Sequence, residues 1–146
     1  MPPSAGSVPD TPAGAAPCAA YALVPVYRDV TRHQRSEAVC LWIRQRAIVE
    51  SCLADRRSHE LVALARSPAG ELAGTATASL GRRTSDGRNV YNLRLYVAPP
   101  HRIPGLARRL TLTSLEVLRN DGLNHPAAGV RLIAENPKLA RPGARR

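Results

Sequence analysis

The stretch Val97-Ala98-Pro99-Pro100-His101-Arg102-Ile103-Pro104-Gly105-Leu106-Ala107 decides how this chain is read. It follows Asn89–Val97 (NVYNLRLYV), where Tyr91, Leu93, Leu95 and Val97 fall on one face and Asn92, Arg94 and Tyr96 on the other, the period of a strand. After it, Leu106, Leu110, Val117 and Leu118 share the buried side of a helix running to about Asn120. Pro104 suits that helix's first turn, and Asp121-Gly122 suits its stop. A strand therefore gives way to a helix through a segment of prolines and small residues. A helix start offers backbone N–H groups without partners at the positive end of the helix dipole, which suits a phosphate. Gly105 and Ala107 keep bulk away from those groups, and Arg102, Arg108 and Arg109 add positive charge. Pro104 contributes no N–H, so the cradle has one donor fewer.

Working outward, residues 1–20 (MPPSAGSVPDTPAGAAPCAA) carry no apolar periodicity and read as a disordered tail. Tyr21–Tyr27 reads as a first strand, with Pro25 implying an edge. From Thr31 to about Ala54 the apolar spacing is helical, long enough for two helices or one bent one. Leu61–Arg66 and Glu71–Leu80 form a hairpin around Ser67-Pro68-Ala69-Gly70. Gly81–Arg88 is a polar loop, Val130–Glu135 is a short strand, and Asn136–Arg146 begins an element that is not finished. The order predicts an α/β fold, a mixed and mostly antiparallel central sheet flanked by helices, spanning residues 21–146 as one domain.

Composition narrows the function classes. The 146 residues include no phenylalanine and 44 % apolar residues, so the core must be built from Leu, Val and Ala. No apolar run approaches the roughly 20 residues that a membrane-spanning helix needs. The first 27 residues lack Lys and Arg, so a secretory n-region is missing. Cys18, Cys40 and Cys52 are odd in number and lack metal-ligand spacing, and the four histidines are scattered. These features point to a cytoplasmic domain without a metal site. Cys40 and Cys52 read as small apolar residues on helices, and Trp42 reads as core. Residues 81–146 carry +9 of the net +10, which favours an anionic partner. Aromatic stacking platforms for single-stranded nucleic acid are nearly absent, so nucleic acid is disfavoured.

The segment Arg102-x-x-Gly105-x-Ala107 after the Val97-Ala98-Pro99 bend, with Asn136 following the strand Arg131–Glu135, resembles the GNAT superfamily of acyl-CoA-dependent N-acyltransferases. The resemblance runs from Tyr21 to the end of the chain. It implies acetyl-CoA as acyl donor and a primary amine of a small molecule or protein as acceptor. The backbone of Leu95, Tyr96 and Val97 would pair with the pantetheine amides, and Ile103, Gly105, Leu106, Ala107, Arg102 and Arg108 would hold the diphosphate. Asn136 would touch the pantetheine arm. The acceptor pocket would be formed by the Thr31–Ala54 helices and the Gly81–Arg88 loop.

This sequence departs from the family pattern in two places. The Asn89–Val97 strand has no Asp or Glu to serve as base, which leaves Asn92 and Tyr96 as candidates for proton handling. The family's tyrosine acid falls where Pro142 and Gly143 interrupt the chain, and its final two strands have no counterpart. The implication is a C-terminally shortened member, or a sheet completed by another chain as in a homodimer. The alternative reading is a catalytically impaired module of the same fold that binds CoA or another protein.

Overall fold

The computed structural model describes residues 17–82, 85–121 and 129–134. Five strands form one sheet in chain order: β1 (Ala22–Pro25), β2 (Leu61–Arg66), β3 (Leu72–Arg82), β4 (Asn89–Val97) and β5 (Gly129–Ala134). The first three pairings are antiparallel. The last, β4 with β5, is parallel, with Val90 opposite Gly129 and Leu95 opposite Ala134. A parallel pair needs a long crossover, and helix α3 (Leu106–Asp121) supplies it. Helices α1 (Arg32–Arg44) and α2 (Ser51–Ser58) precede β2. The expected mixed, mostly antiparallel sheet is present. Among the described residues no helix is long and apolar enough to cross a membrane.

Local chemistry explains the boundaries. Thr31 Oγ1 accepts from the Gln34 amide at 3.0 Å, and Gln34 Oε1 accepts from the Thr31 amide at 2.8 Å. This reciprocal cap satisfies two otherwise orphaned donors and starts α1. The Thr31–Ala54 pattern resolves into two helices, parted by a turn in which Arg46 adopts φ 60°. Pro25 lies on the edge strand, where its missing N–H costs no ladder bond. Helix α3 begins at Leu106, two residues after Pro104, because Gly105 stands at φ +89°, outside helical space. Its far end is Asp121 itself rather than a residue before it. Cys40 and Cys52 are exposed, contrary to the small-apolar reading, since both fall on the solvent sides of their helices.

The helices cover opposite faces of the sheet. On one, Leu106, Leu110 and Leu118 of α3 pack on Val62, Ala76, Tyr91 and Leu93. On the other, Ala38, Leu41 and Trp42 of α1 pack on Leu61, Leu64 and Tyr96. The alternation read in β4 therefore sends its odd-numbered residues under α3 and Tyr96 under α1. Trp42 is core, as expected, and its Nε1–H donates to Thr75 Oγ1 at 3.0 Å, so the buried indole keeps a partner.

The C-terminal end of α3 is tied down by charge. The buried Asp121 carboxylate accepts from the Tyr91 hydroxyl, and from Arg28 Nε at 3.0 Å. Burial, and then the hydrogen bond and charge of Asp121, push the Tyr91 phenol far above its ordinary ionisation range. Arg28 itself sits at φ 64°, and its guanidinium also lies 5.2 Å from the Tyr27 ring centre.

Candidate functional site

The strand-to-helix corner is built from three short turns. After Val97, Pro99–His101 forms a single 3-10 turn, with the Arg102 amide donating to Pro99 O at 3.3 Å. The Ile103 amide then donates to His101 O at 2.9 Å, and the Leu106 amide to Ile103 O at 3.3 Å. Pro104 has no N–H. The amides of Gly105, Ala107 and Arg108 have no backbone acceptor among the described residues. They stand at the N-terminus of a 16-residue helix, where the dipole favours an anion. Of the candidates read from the sequence, Gly105, Ala107 and Arg108 thus share one end of one helix. Leu106 offers less, because its side chain is wholly buried and its amide is engaged.

Gly105 answers two local demands. Its φ of +89° disfavours any residue with a Cβ, and a Cβ built there would lie 2.8 Å from Cys18 Sγ. Cys18 belongs to a 3-10 turn, Cys18–Ala20, which lies inside the stretch that composition assigns to the tail. That boundary is corrected here: Arg109 donates to the carbonyls of Cys18 and, at 3.1 Å, Tyr21, which fixes residues 18–21 against α3. Residues 1–16 of the tail lie outside the described residues.

Arg102 turns back toward the strand. Its Nε–H donates to Val97 O at 2.8 Å, and its guanidinium lies 5.7 Å from the Tyr96 ring centre. Tyr96 is buried, and burial raises its phenol above the ordinary value against an opposing pull from Arg102 and, more weakly, Arg44. The phenol therefore stays protonated at neutral pH.

Along β4 the described part of the parallel ladder reaches Leu95 opposite Ala134, while Tyr96 and Val97 pair with Thr75 and Gly74 of β3. Among the described residues, β3 is the only strand that pairs with these last two positions. Leu95 already faces a partner in β5, Ala134, the last described residue of that strand. Asn92 lies four residues before Tyr96, where its Oδ1 accepts from Arg131 Nε at 2.9 Å, so the structure does not bring the two together. Asn136, and the unfinished element after it, lie outside the described residues.

Where the middle of β4 meets α1 and α2, only a crevice of about 10 Å³ remains, bordered by Trp42, Thr75, Thr77, Arg94 and Tyr96. A larger cleft, about 680 Å³, lies between α1 and the Pro99–His101 turn, and none of the described residues of Gly81–Arg88, the loop expected to form the acceptor pocket, borders it. Among the described residues no group of three or more His, Cys, Asp and Glu is placed to hold a metal ion.

The model of the acetyltransferase (GNAT) family matches residues 24–133. The chain belongs to the GNAT acetyltransferase family. Solved structures of the same fold include an acetyltransferase from Trypanosoma brucei, 22 % identical, covering 86 % of this chain and 93 % of that one with a TM-score of 0.53. Another is a ribosomal-protein-alanine N-acetyltransferase from Brucella melitensis biovar Abortus 2308, 18 % identical over 85 % of each chain, TM-score 0.52. A third is glucosamine-6-phosphate N-acetyltransferase from Arabidopsis thaliana, 12 % identical, covering 77 % of this chain and 81 % of that one, TM-score 0.52. At these identities the likeness is one of fold. No protein in the curated set matches by sequence.

The contacts of Cys18, Tyr21 and Arg109 with this corner had no sequence signal. They join residues up to 91 positions apart, and no local pattern reports such a contact.

Proposed function

We propose that this GNAT protein is an N-acetyltransferase that moves an acetyl group from acetyl-CoA to a primary amine of a small molecule or protein. The observation that carries the reading is the set of three amides, Gly105, Ala107 and Arg108, at the start of α3, beside a strand end that pairs only with β3 among the described residues. Those amides suit a diphosphate, and the solvent-facing guanidinium nitrogens of Arg102 add charge next to it. The side of Tyr96 and Val97 turned away from β3 would carry the amides of a pantetheine arm laid along the strand. Asn136 would meet the same arm.

In transfer, the neutral amine nitrogen attacks the thioester carbon, the C–N bond forms and the C–S bond breaks. The amine's extra proton leaves to water or a base, and the departing thiolate takes a proton. Tyr96, kept protonated by burial and covered by Arg102 at the diphosphate end, would supply that proton only through relayed water. Asn92 would take part only through relayed water. Arg102 is a positioning residue: it holds the Val97 carbonyl and covers the Tyr96 ring.

The test is thermal unfolding with acetyl-CoA, followed by transfer assays over an amine panel. Acetyl-CoA at 100 times its Kd should stabilise the protein by about 2.7 kcal/mol. No shift with acetyl-CoA or CoA would sink the proposal. A second reading, a CoA-binding module without turnover, is favoured by two observations. The crevice beside Tyr96 has room for about one water molecule, and the α1-facing side of β4 carries no carboxylate. Stabilisation by acetyl-CoA without transfer to any amine would select it.

A further inference from the structure

The cleft of about 680 Å³ beside α1 plays no part in the transfer reading, yet its volume lies within the roughly 300–1,000 Å³ usual for small-ligand sites. One wall is α1, with Glu37, Cys40 and Arg44. The other is the start of β3 with Glu71 and Leu72, together with the turn from Ala98 to His101. Leu41 and Ala98, both buried, give it an apolar floor.

The charges around it are unequal in what they already hold. Glu37 is matched, since Arg66 donates to both its oxygens, at 3.1 and 2.5 Å, and His33 Nε2 lies 3.7 Å away. Glu71 is mostly exposed, and among the described residues its one ion-pair contact is His101 Nε2 at 3.5 Å. The other nitrogen of that ring, Nδ1, lies 2.8 Å from the Tyr21 hydroxyl, so the imidazole is held at both ends. Arg44 has no ion pair among the described residues. The cleft thus sets one unmatched cation and one lightly held carboxylate on different walls above an apolar floor. A ligand carrying both charges and a modest apolar side chain fits that arrangement.

We propose that the cleft is a second ligand site, for a zwitterion of amino-acid to dipeptide size, with its ammonium at Glu71 and its carboxylate at Arg44. That it is distinct from the acceptor's reacting position rests on the acetyl-CoA reading above. With the diphosphate at the corner, the whole pantetheine arm separates it from the thioester. A ligand bordering Ala98–His101 is therefore at the diphosphate end, away from the carbon under attack.

The experiment is titration calorimetry on the full chain without acetyl-CoA, so that its outcome does not depend on donor binding. The probes are leucine and alanyl-leucine, their C-terminal amides, their N-acetyl derivatives, and spermidine. At least one of the two zwitterions should bind, and blocking either of its ends should weaken it about tenfold or more, the loss of one charge-assisted hydrogen bond. Glu71→Gln and Arg44→Gln should each weaken it by a similar factor, while Glu71→Gln keeps the wild-type melting shift with acetyl-CoA. Absence of binding by both zwitterions at millimolar concentration overturns the proposal. So does equal binding of the end-blocked probes, wild-type affinity in both variants, or tighter binding of spermidine than of either zwitterion.

Discussion

Replacing Gly105 with alanine separates two costs that meet at the corner. The first is conformational: a Cβ at φ +89° costs about 1–2 kcal/mol for an L residue. The second is contact: the new Cβ would lie 2.8 Å from Cys18 Sγ, closer than real Cβ atoms come, so the Cys18 side chain, its turn or the start of α3 must shift. Removing the sulfur removes the second cost alone, because the next nearest atom, Cys18 Cβ, is at 3.8 Å, an ordinary contact distance. Thermal unfolding of the wild type, Gly105→Ala, Cys18→Ala and the double variant forms a cycle. Gly105→Ala should lower Tm by more than the conformational part alone, which is about 2–8 °C for a chain of this size. In the double variant the loss should shrink to that conformational part and no further. Gly105→Ala should also weaken acetyl-CoA, because the amides of Gly105, Ala107 and Arg108 move with the start of α3. Wild-type stability in Gly105→Ala would refute the argument, as would a loss that Cys18→Ala abolishes completely or leaves unchanged.

Other consequences are simpler to read. Asp121→Ala removes the acceptor of the buried Tyr91 hydroxyl and should cost about 1–3 kcal/mol for the unsatisfied phenol, while the exposed Arg28 turns to solvent. Chemical denaturation measures it, and a loss under about 1 kcal/mol would show that solvent replaces the carboxylate. Arg66 holds the Glu37 carboxyl below its ordinary value of 4.5, so its contribution is present above that pH and is lost as pH falls through the lower folded value. Glu37→Gln should therefore flatten the stability-versus-pH curve below about pH 4.5; an unaltered slope there would count against the pair. For Tyr91 the sign is opposite. Its folded-state ionisation is raised, so its contribution holds below pH 10 and is lost as pH rises beyond it, with phenolate absorbance delayed relative to the unfolded chain. Arg102→Ala should lower acetyl-CoA affinity about 10–150-fold by loss of a charge-assisted contact, and an affinity equal to wild type would place the diphosphate elsewhere.

How much of this could be read beforehand follows the range of each interaction. The β4 alternation, the helical spacing of Leu106, Leu110 and Leu118, and the Thr31 start are local patterns, and each fell within a residue or two of its observed place. The α3 boundary was missed by two residues because Pro104 is acceptable at a helix start, while Gly105 at positive φ ends that possibility. The exposure of Cys40 and Cys52 was hidden by weak amphipathicity, since polar residues surround both on short helices. The Cys18 turn was hidden for a different reason. Its residues are compositionally tail-like, and only Arg109, far along the chain, supplies the donors that order them.

The same distinction applies to the site. Small residues after a strand point to a corner where backbone amides are free, and those amides stand in the fold at Gly105, Ala107 and Arg108. The sequence could not say what Arg102 does with its head group, because a charge beside a phosphate loop and a charge folded onto the preceding strand have the same spelling. The geometry separates the two roles within one side chain. Nε is spent on Val97 O at the strand end, while the guanidinium lies beside Tyr96, where it would also meet an anion. Arg102→Lys keeps a positive charge but cannot hold the Val97 carbonyl and present a planar pair of donors together. Its acetyl-CoA affinity should therefore fall between wild type and Arg102→Ala, with Tyr96 ionising at a different pH in the lysine variant. Equal affinity for the lysine variant and wild type would mean that charge alone matters at this position, and that the contact with Val97 is incidental to binding.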